Sequence, residues 1–278
     1  MDTNNSSSNL PIGVFDSGVG GFTVVKALRH TLPGENIVYL GDSARVPYGT
    51  KSRETVIKYS LKNASFLCSK NIKMLVIACN TASAHSLEAL RSELDIPVIG
   101  VIYPGAVSAR QSTSRNNIGI IGTEGTVSSG EYGKYIRELS NGTVNTASEP
   151  CPLFVPLAEE GWVFGEVPGL VAHKYLSRLQ RKLPEMDVLV LGCTHYPLLR
   201  DIIQNECDRI FSRRIKLIDS GISTAQVVQQ KLESQTLLNK NNLHGELQVF
   251  VTDTSKISTI GNRFLGEPLS GVERVDIL

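Results

Sequence analysis

The sequence predicts an α/β protein with two similar three-layer α/β domains, mainly parallel sheets and a ligand site in the cleft between them. Strand patterns alternate with helical patterns along the chain, which is typical of parallel sheets. One local design also occurs twice, in residues 75–83 and 189–197: a Val, Leu and Ile run, a cysteine with polar neighbours, and a helical pattern. Roughly eight strand–helix units could also close a single barrel, but the repeated segment favours two halves.

Each element is predicted from its apolar period and its flanking turn residues. The predicted strands cover residues 12–15, 36–40, 73–78, 97–102, 117–122, 143–147, 187–191, 215–218 and 246–252. The predicted helices cover residues 22–32, 53–68, 83–94, 104–111, 167–183, 198–207 and 256–265, with two more ending at 139 and 233. We expect residues 1–100 to form the first domain, with a disordered tail at 1–10. Residues 101–210 form the second domain, and 211–278 return to complete the first.

Composition excludes several classes of protein. The net charge of +1 gives no field that would attract nucleic acid or an anionic membrane surface. No apolar run is long enough to span a bilayer. Residues 1–9 lack the charged start and apolar core of a signal peptide, so we expect a cytoplasmic protein. The five cysteines have no framework spacing and should be free thiols in a reducing compartment.

Two of these thiols are candidates for chemistry. Cys79 and Cys193 each follow a predicted strand and precede a predicted helix, which is where open α/β sheets bind ligands. A helix amino terminus lowers the pKa of a thiol from its free value of about 8.5. Two thiols of this kind, one in each half of the chain, suggest a pair of proton-transfer groups. Cys68 and Cys151 are expected to have structural roles.

Other strand ends carry weaker signals. Asp16 ends the first strand and opens the glycine-rich turn 16–21, which can bind an anion or simply connect strand to helix. The loop 41–50 contains Pro47, Tyr48 and Gly49, which can present a hydroxyl and backbone amides to a ligand or form an ordered connection. The hydroxyls of the turn 122–126 can contact substrate or cap a helix.

Several chemistries compete for the two cysteines. A disulfide oxidoreductase usually has a Cys-x-x-Cys motif, which is absent. A zinc site needs more ligands than Cys193 and His195 provide. An acyl-transfer nucleophile leaves the second segment unexplained, and two buried structural cysteines leave the polar neighbours unexplained. Two-base proton transfer at a stereocentre uses both thiols and needs no cofactor.

Six segments, in this order along the chain, resemble the glutamate racemases of the aspartate/glutamate racemase family. They are residues 16–21 (DSGVGG), 47–49 (PYG), 78–83 (ACNTAS), 122–126 (GTEGT), 156–159 (PLAE) and 192–197 (GCTHYP). The resemblance implies cofactor-independent interconversion of L- and D-glutamate, which supplies D-glutamate for bacterial peptidoglycan. It also implies a homodimer, because family members are often dimers.

The resemblance also implies roles for individual residues. Cys79 and Cys193 are the catalytic acid/bases, Asp16 supports Cys79, His195 supports Cys193, and Glu159 is a further member of the catalytic group. The implied substrate-binding residues are Asp16, Ser17, Pro47, Tyr48, Gly49, Cys79, Asn80, Thr81, Thr126, Cys193, Thr194 and His195. Racemisation of aspartate or a hydantoin, and non-catalytic binding of an amino acid, are the alternatives. Loss of optical rotation from L-glutamate without added cofactor would discriminate among them.

Overall fold

The computed structural model describes residues 7–240, 244–255 and 257–277, and within them the strands form two parallel sheets. The strands are β1 Ile12–Asp16, β2 Ile37–Gly41, β3 Met74–Ile77, β4 Val98–Gly100, β5 Asn117–Gly122, β6 Asn145–Pro150, β7 Val188–Gly192, β8 Lys216–Asp219, β9 Leu247–Val251 and β10 Val272–Arg274. The first sheet has the order β10-β9-β2-β1-β3-β4 and the second has the order β6-β5-β7-β8.

Helices connect and cover these strands. They are α1 Phe22–Thr31, α2 Arg53–Cys68, α3 Asn80–Glu93, α4 Ile102–Ser112, α5 Glu124–Ser129, α6 Glu131–Leu139, α7 Phe154–Glu160, α8 Glu166–Lys182, α9 Arg200–Ile210, α10 Ser220–Ser234 and α11 Ile257–Leu265. The predicted fold class is confirmed. No helix within the described ranges is long and apolar enough to cross a membrane.

The core follows from the alternation of side chains along each strand. In β1, Ile12 and Val14 enter one buried cluster while Phe15 enters another on the opposite face of the sheet. The first of these clusters also includes Leu189 and Leu191 of β7, so apolar packing is continuous from one sheet to the other. This continuity sets the carboxyl ends of β1 and β7 close to each other.

The prediction that the chain returns to the first domain at residue 211 is wrong in one respect. Strand β8, at residues 216–219, pairs in parallel with β7 and therefore belongs to the second sheet. The chain returns instead along α10, which packs against α1 and α4. The sequence pattern located this strand but could not assign its partner, because neighbouring strands in a parallel sheet need not be consecutive in sequence.

The prediction of disorder is also wrong for part of the amino-terminal tail. Ser8 is buried, and its carbonyl accepts a hydrogen bond of 2.6 Å from Lys73 Nζ. Lys73 forms an ion pair of 2.5 Å with buried Glu35, so a buried charge pair fixes this stretch. Residues 1–6 lie outside the described residues.

One predicted helix is divided. The helix expected to run to residue 139 consists of α5 and α6, which meet at Gly130 with φ at 70°. A left-handed residue ends an α-helix, and glycine adopts this conformation without steric cost. The division lets α5 cover the cavity described below while α6 packs against α4.

Candidate active site

The two sheets present the carboxyl ends of their strands to one cavity of about 230 Å³. Cys79 follows β3 of the first sheet, and Cys193 follows β7 of the second. Both side chains line the cavity and both are at least nine-tenths buried. The predicted residues that line the cavity are Ser17, Pro47, Tyr48, Gly49, Cys79, Asn80, Thr81, Glu159, Cys193, Thr194 and His195.

Cys79 sits at the amino-terminal cap of α3, where its sulfur accepts a hydrogen bond of 3.4 Å from the Ala82 amide. The expected lowering of its pKa is nevertheless wrong. Burial and the negative charge of Asp16 raise the pKa of the Cys79 thiol to about 12, against the opposing effects of the Ala82 amide and the Ser17 hydroxyl. Loss of water outweighs the helix terminus here. Cys79 is therefore a thiol at neutral pH.

Cys193 has a different environment because a histidine and a carboxylate lie next to it. His195 Nδ1 is 3.8 Å from Cys193 Sγ, and His195 Nε2 is 2.9 Å from Glu159 Oε1. Burial lowers the pKa of His195, but the hydrogen bonds and negative charge of Cys193 and Glu159 outweigh it and raise this pKa to about 10. His195 thus carries a positive charge at neutral pH, directly beside the sulfur.

Asp16 is buried beneath the cavity and does not line it. Its carboxylate accepts a hydrogen bond of 2.9 Å from the Gly18 amide and a longer one of 3.5 Å from Thr194 Oγ1. Burial raises the pKa of Asp16, whereas the charge of His195 and these hydrogen bonds act to lower it. Asp16 therefore contacts the turn after β1 directly and reaches both Cys79 and His195 through its charge.

Asn80 supplies an unsatisfied donor next to Cys79. Its Oδ1 accepts a hydrogen bond of 2.8 Å from the hydroxyl of Tyr132, which comes from the second domain. Its Nδ2 is buried and has no hydrogen-bond partner among the residues that the structure describes. An unpaired buried donor is costly, so such a group in a cavity indicates a position for a ligand acceptor.

Three threonine hydroxyls join the domains at the cavity wall. Thr81 Oγ1 is 2.8 Å from Thr123 Oγ1 and 3.2 Å from Thr126 Oγ1. Thr123 lines the cavity, whereas the predicted Thr126 is buried and does not. The Tyr48 hydroxyl, which the sequence suggested as a ligand donor, instead hydrogen-bonds buried Asp42. Tyr48 thus lines the cavity with its other atoms.

Other cavity residues had weak signals or none. Gly18, Thr50 and Glu124 adjoin predicted site residues in the same turns. Pro152, Val155 and Pro156 come from the stretch around α7, for which the sequence suggested no ligand contact. The proximity of this proline-rich run to Glu159 was the only available signal. In the described part of the chain, no group of three or more His, Cys, Asp or Glu side chains is placed to hold a metal ion.

The turn before α1 packs against the residues after Cys193, and Gly20 permits this approach. A Cβ atom on residue 20 would lie 2.2 Å from Thr194 Oγ1 and 2.5 Å from His195 Nδ1, where the turn of the first domain meets the second domain. Neither atom is at the end of a long flexible side chain. A substituent at position 20 must therefore displace the group that lies beside Cys193.

We expect Gly20→Ala to lower the kcat/KM of the catalysed reaction by about 100-fold, because a displacement near 1 Å can cost that much. The matched control is Gly133→Ala, since a Cβ there would meet its nearest neighbour at 3.5 Å, which is ordinary contact. Steady-state kinetics of both variants, with thermal unfolding curves, checks the expectation. Equal activity of the two variants would contradict it.

Comparison with known proteins agrees with this geometry. Residues 22–228 match the family model described as Asp/Glu/Hydantoin racemase. A glutamate racemase of Geobacter metallireducens is 50% identical over 267 residues, which is 96% of both chains. Glutamate racemase of Francisella tularensis, solved in complex with D-glutamate, is 39% identical, with a TM-score of 0.88 over 97% of this chain and 98% of that one. The Thermus thermophilus enzyme, solved with β-chloro-D-alanine, is 41% identical, with a TM-score of 0.86 over the same shares. The chain therefore belongs to the Asp/Glu/Hydantoin racemase family of isomerases and groups within it with the glutamate racemases.

Proposed function

We propose that this chain interconverts L- and D-glutamate by two-base proton transfer, with Cys79 acting on the D enantiomer and Cys193 on the L enantiomer. The observation that carries the proposal is the placement of two thiols, from different sheets, on one cavity. The glutamate racemases to which the chain is similar support the choice of substrate. Non-catalytic binding needs neither thiol.

Each turnover moves two protons. In the L-to-D direction the Cys193 thiolate takes the α-proton from one face of the substrate, and the Cys79 thiol donates a proton to the opposite face. The carbanion between these steps places negative charge on the adjacent carboxylate. After the turnover Cys193 is a thiol and Cys79 is a thiolate, so exchange of protons with water must restore the starting form. No bond other than C–H, S–H and O–H changes.

The charges of the site's own residues suit proton removal from L-glutamate. Positively charged His195 lies beside Cys193, which must be the thiolate for this direction, and Cys79 with its raised pKa holds a proton to donate. For the opposite direction Cys79 must lose that proton. The ammonium group of an arriving D-glutamate supplies a positive charge that favours this loss.

The substrate carboxylate must be stabilised where its charge increases. Asn80 Nδ2 is an unpaired donor in the cavity wall, and the first amides of α3 have no partner within the helix. The positive end of the α3 dipole adds to this effect. These donors are fixed before the reaction, so they need no reorganisation as the charge develops.

Racemisation of L-glutamate in D₂O, with chelator-treated protein and no added cofactor, tests the proposal. Early in the reaction the D-glutamate formed should carry deuterium at the α-carbon, while the remaining L-glutamate should not. The reason is that the donating thiol exchanges with solvent, whereas the accepting thiolate is a separate group. Deuterium in recovered L-glutamate at the rate of product formation would indicate a single base. Activity that metal must restore would contradict the cofactor-independent mechanism.

Specificity is tested by comparing substrates. The cavity walls of both domains carry polar side chains, including Thr123 and Ser17, that can bind a carboxylate at each end of glutamate. We expect glutamate to be racemised faster than aspartate or glutamine. Faster turnover of aspartate would favour the alternative of an aspartate racemase.

The raised pKa of Cys79 predicts a directional pH dependence. An analogue with a leaving group at Cβ undergoes elimination after one proton removal, so each enantiomer reports on one base. Elimination from the D enantiomer needs the Cys79 thiolate, whose fraction increases with pH because the pKa of about 12 lies above neutrality. We expect kcat/KM for this enantiomer to rise by up to about tenfold per pH unit between about pH 6.5 and pH 8.5.

The L enantiomer is the internal control for this experiment. Its base, Cys193, lies beside His195, whose pKa of about 10 keeps the positive charge present throughout that range. A loss of elimination from the L enantiomer at either end of the range would therefore report damage to the fold or to the analogue rather than a change in the charge of His195. A flat or falling profile for the D enantiomer would contradict the assignment of Cys79 as its base.

We also propose that the chain supplies D-glutamate for peptidoglycan and that it acts as a homodimer in the cytoplasm. A reducing compartment suits the mechanism because both thiols must stay reduced to carry protons. All five cysteines are free.

A further inference from the structure

Two consecutive residues of the carboxyl-terminal helix α11 contact the segments that carry the Glu159–His195 pair beside Cys193. The Phe264 ring packs edge-on against the His195 ring, with centroids 5.0 Å apart and an interplanar angle of 75°. Arg263 Nη1 donates hydrogen bonds to the carbonyls of Ala158 (3.2 Å) and Glu159 (2.5 Å). Helix α11 itself packs on α1, which covers the first sheet.

The Arg263 contacts lie at the carboxyl-terminal end of α7, where the Gly161 amide also donates to the Ala158 carbonyl and Arg263 supplies a donor to the Glu159 carbonyl. A cation is favoured at this end by the helix dipole. Gly161 closes the helix with φ at 78°, and a Cβ there would lie 2.7 Å from Arg263 Cζ. The guanidinium therefore packs directly over a position that must be glycine, and it fixes the backbone that carries Glu159.

The Glu159 carboxylate needs this fixation because little else restrains it. Its side chain is 37% exposed and sits on a helix of seven residues. Holding a long exposed side chain in one geometry costs side-chain conformational entropy, and a mobile backbone would add a further cost. With Arg263 in place, Glu159 Oε1 stays 2.9 Å from His195 Nε2, and Phe264 packs edge-on against the same imidazole.

We propose that Arg263 and Phe264 are positioning residues for the Cys193 half of the site, which hold the Glu159–His195 pair against Cys193 from the other domain. The proposal rests on the proposed two-base function and adds a directional prediction to it. Neither residue touches the cavity, so neither is a catalytic residue. Their loss should weaken proton removal by Cys193 and leave removal by Cys79 unchanged.

Elimination from each enantiomer of a β-substituted analogue tests the proposal, using the full-length chain. Racemisation is a poor readout here because the two enantiomers have equal free energy, which forces equal kcat/KM in both directions. Arg263→Met retains the aliphatic stem and removes the donors. It should lower elimination from the L enantiomer by about tenfold, the value of a charged hydrogen bond, with the D enantiomer unchanged. Arg263→Lys, which keeps a cationic donor at the helix end, should recover most of the loss.

Arg29→Met is the matched control. Arg29 is a half-buried arginine that pairs with Glu267, just beyond α11, and no hydrogen bond among the described residues joins it to α7. This variant should leave both enantiomers unchanged. Equal losses for the two enantiomers in Arg263→Met, or no loss for either, would overturn the positioning role. If Arg263→Met does not fold, Phe264→Leu must show the same selective loss, and an unselective loss there would overturn the proposal equally. Failure of the wild-type protein to eliminate from either enantiomer would instead reject the proposed function.

Discussion

Replacing either Cys79 or Cys193 with serine should lower glutamate racemisation by about 100- to 10,000-fold, the usual contribution of a positioned acid or base. A hydroxyl is a far weaker acid than a thiol, so serine can neither hold the negative charge nor donate the proton at the required rate. Because a proton leaves one face and another arrives on the opposite face, either substitution interrupts both directions. Steady-state racemisation measured from each enantiomer checks the expectation.

Elimination from a β-substituted analogue distinguishes the roles of the two thiols, because each enantiomer needs only one base. Cys79→Ser should still eliminate from the L enantiomer of a β-substituted analogue, and Cys193→Ser should still eliminate from the D enantiomer. Cys68→Ser is the matched control, since Cys68 is a half-buried thiol on α2 that does not line the cavity. If one active-site variant eliminated both enantiomers at comparable rates, one thiol could not be assigned to each face.

The position of the site could be predicted from the sequence because strand ends and helix starts are local features. Cys79 and Cys193 follow buried strands, and parallel strands bring their carboxyl ends to one edge of a sheet. Alternation of strand and helix then placed both cysteines at equivalent points of two domains. The cavity lined by both is the consequence of that pattern.

The electrostatic state of the thiols could not be predicted in the same way. A helix amino terminus suggested a lowered pKa for Cys79, but the pKa depends on burial and on Asp16, which lies 63 positions earlier in the printed sequence. The sequence likewise suggested the Tyr48 hydroxyl as a donor to a ligand, but in the fold this hydroxyl donates a hydrogen bond to Asp42. The distant Asp16 decides the first case. In the second case the partner lies in the same loop, but the hydropathy pattern does not show which way either side chain points.

The partner of β8 and the role of α11 were missed because contacts with distant parts of the chain decide them. Residues 215–218 were predicted as a strand, yet only the pairing of β8 with β7 shows which sheet it joins. The sequence pattern placed Arg263 and Phe264 at the end of a predicted helix and indicated no contact with the site. Their contacts with Glu159 and His195 cross about a hundred and about seventy residues of chain, where sequence spacing indicates nothing.

The second large effect is expected for His195→Asn, which removes the positive charge beside Cys193. Elimination from the L enantiomer should fall by about 100-fold, comparable to the loss of one preorganised charge-stabilising group. Elimination from the D enantiomer should change much less, because Cys79 is influenced mainly by burial and Asp16. Asp16→Asn should show the reverse selectivity and alter mainly the D enantiomer. Each variant therefore reports on one thiol.

His173→Asn provides the matched control, because His173 Nδ1 forms a comparable pair with Glu206 at 3.1 Å outside the cavity. It should leave elimination from both enantiomers unchanged, which separates the charge beside Cys193 from a general effect of losing a histidine–glutamate pair. The measurement is kcat/KM for each enantiomer in the three variants. If His195→Asn lowered both enantiomers equally, its charge would serve the whole cavity, and the division of the site into a Cys79 side and a Cys193 side would have to be abandoned.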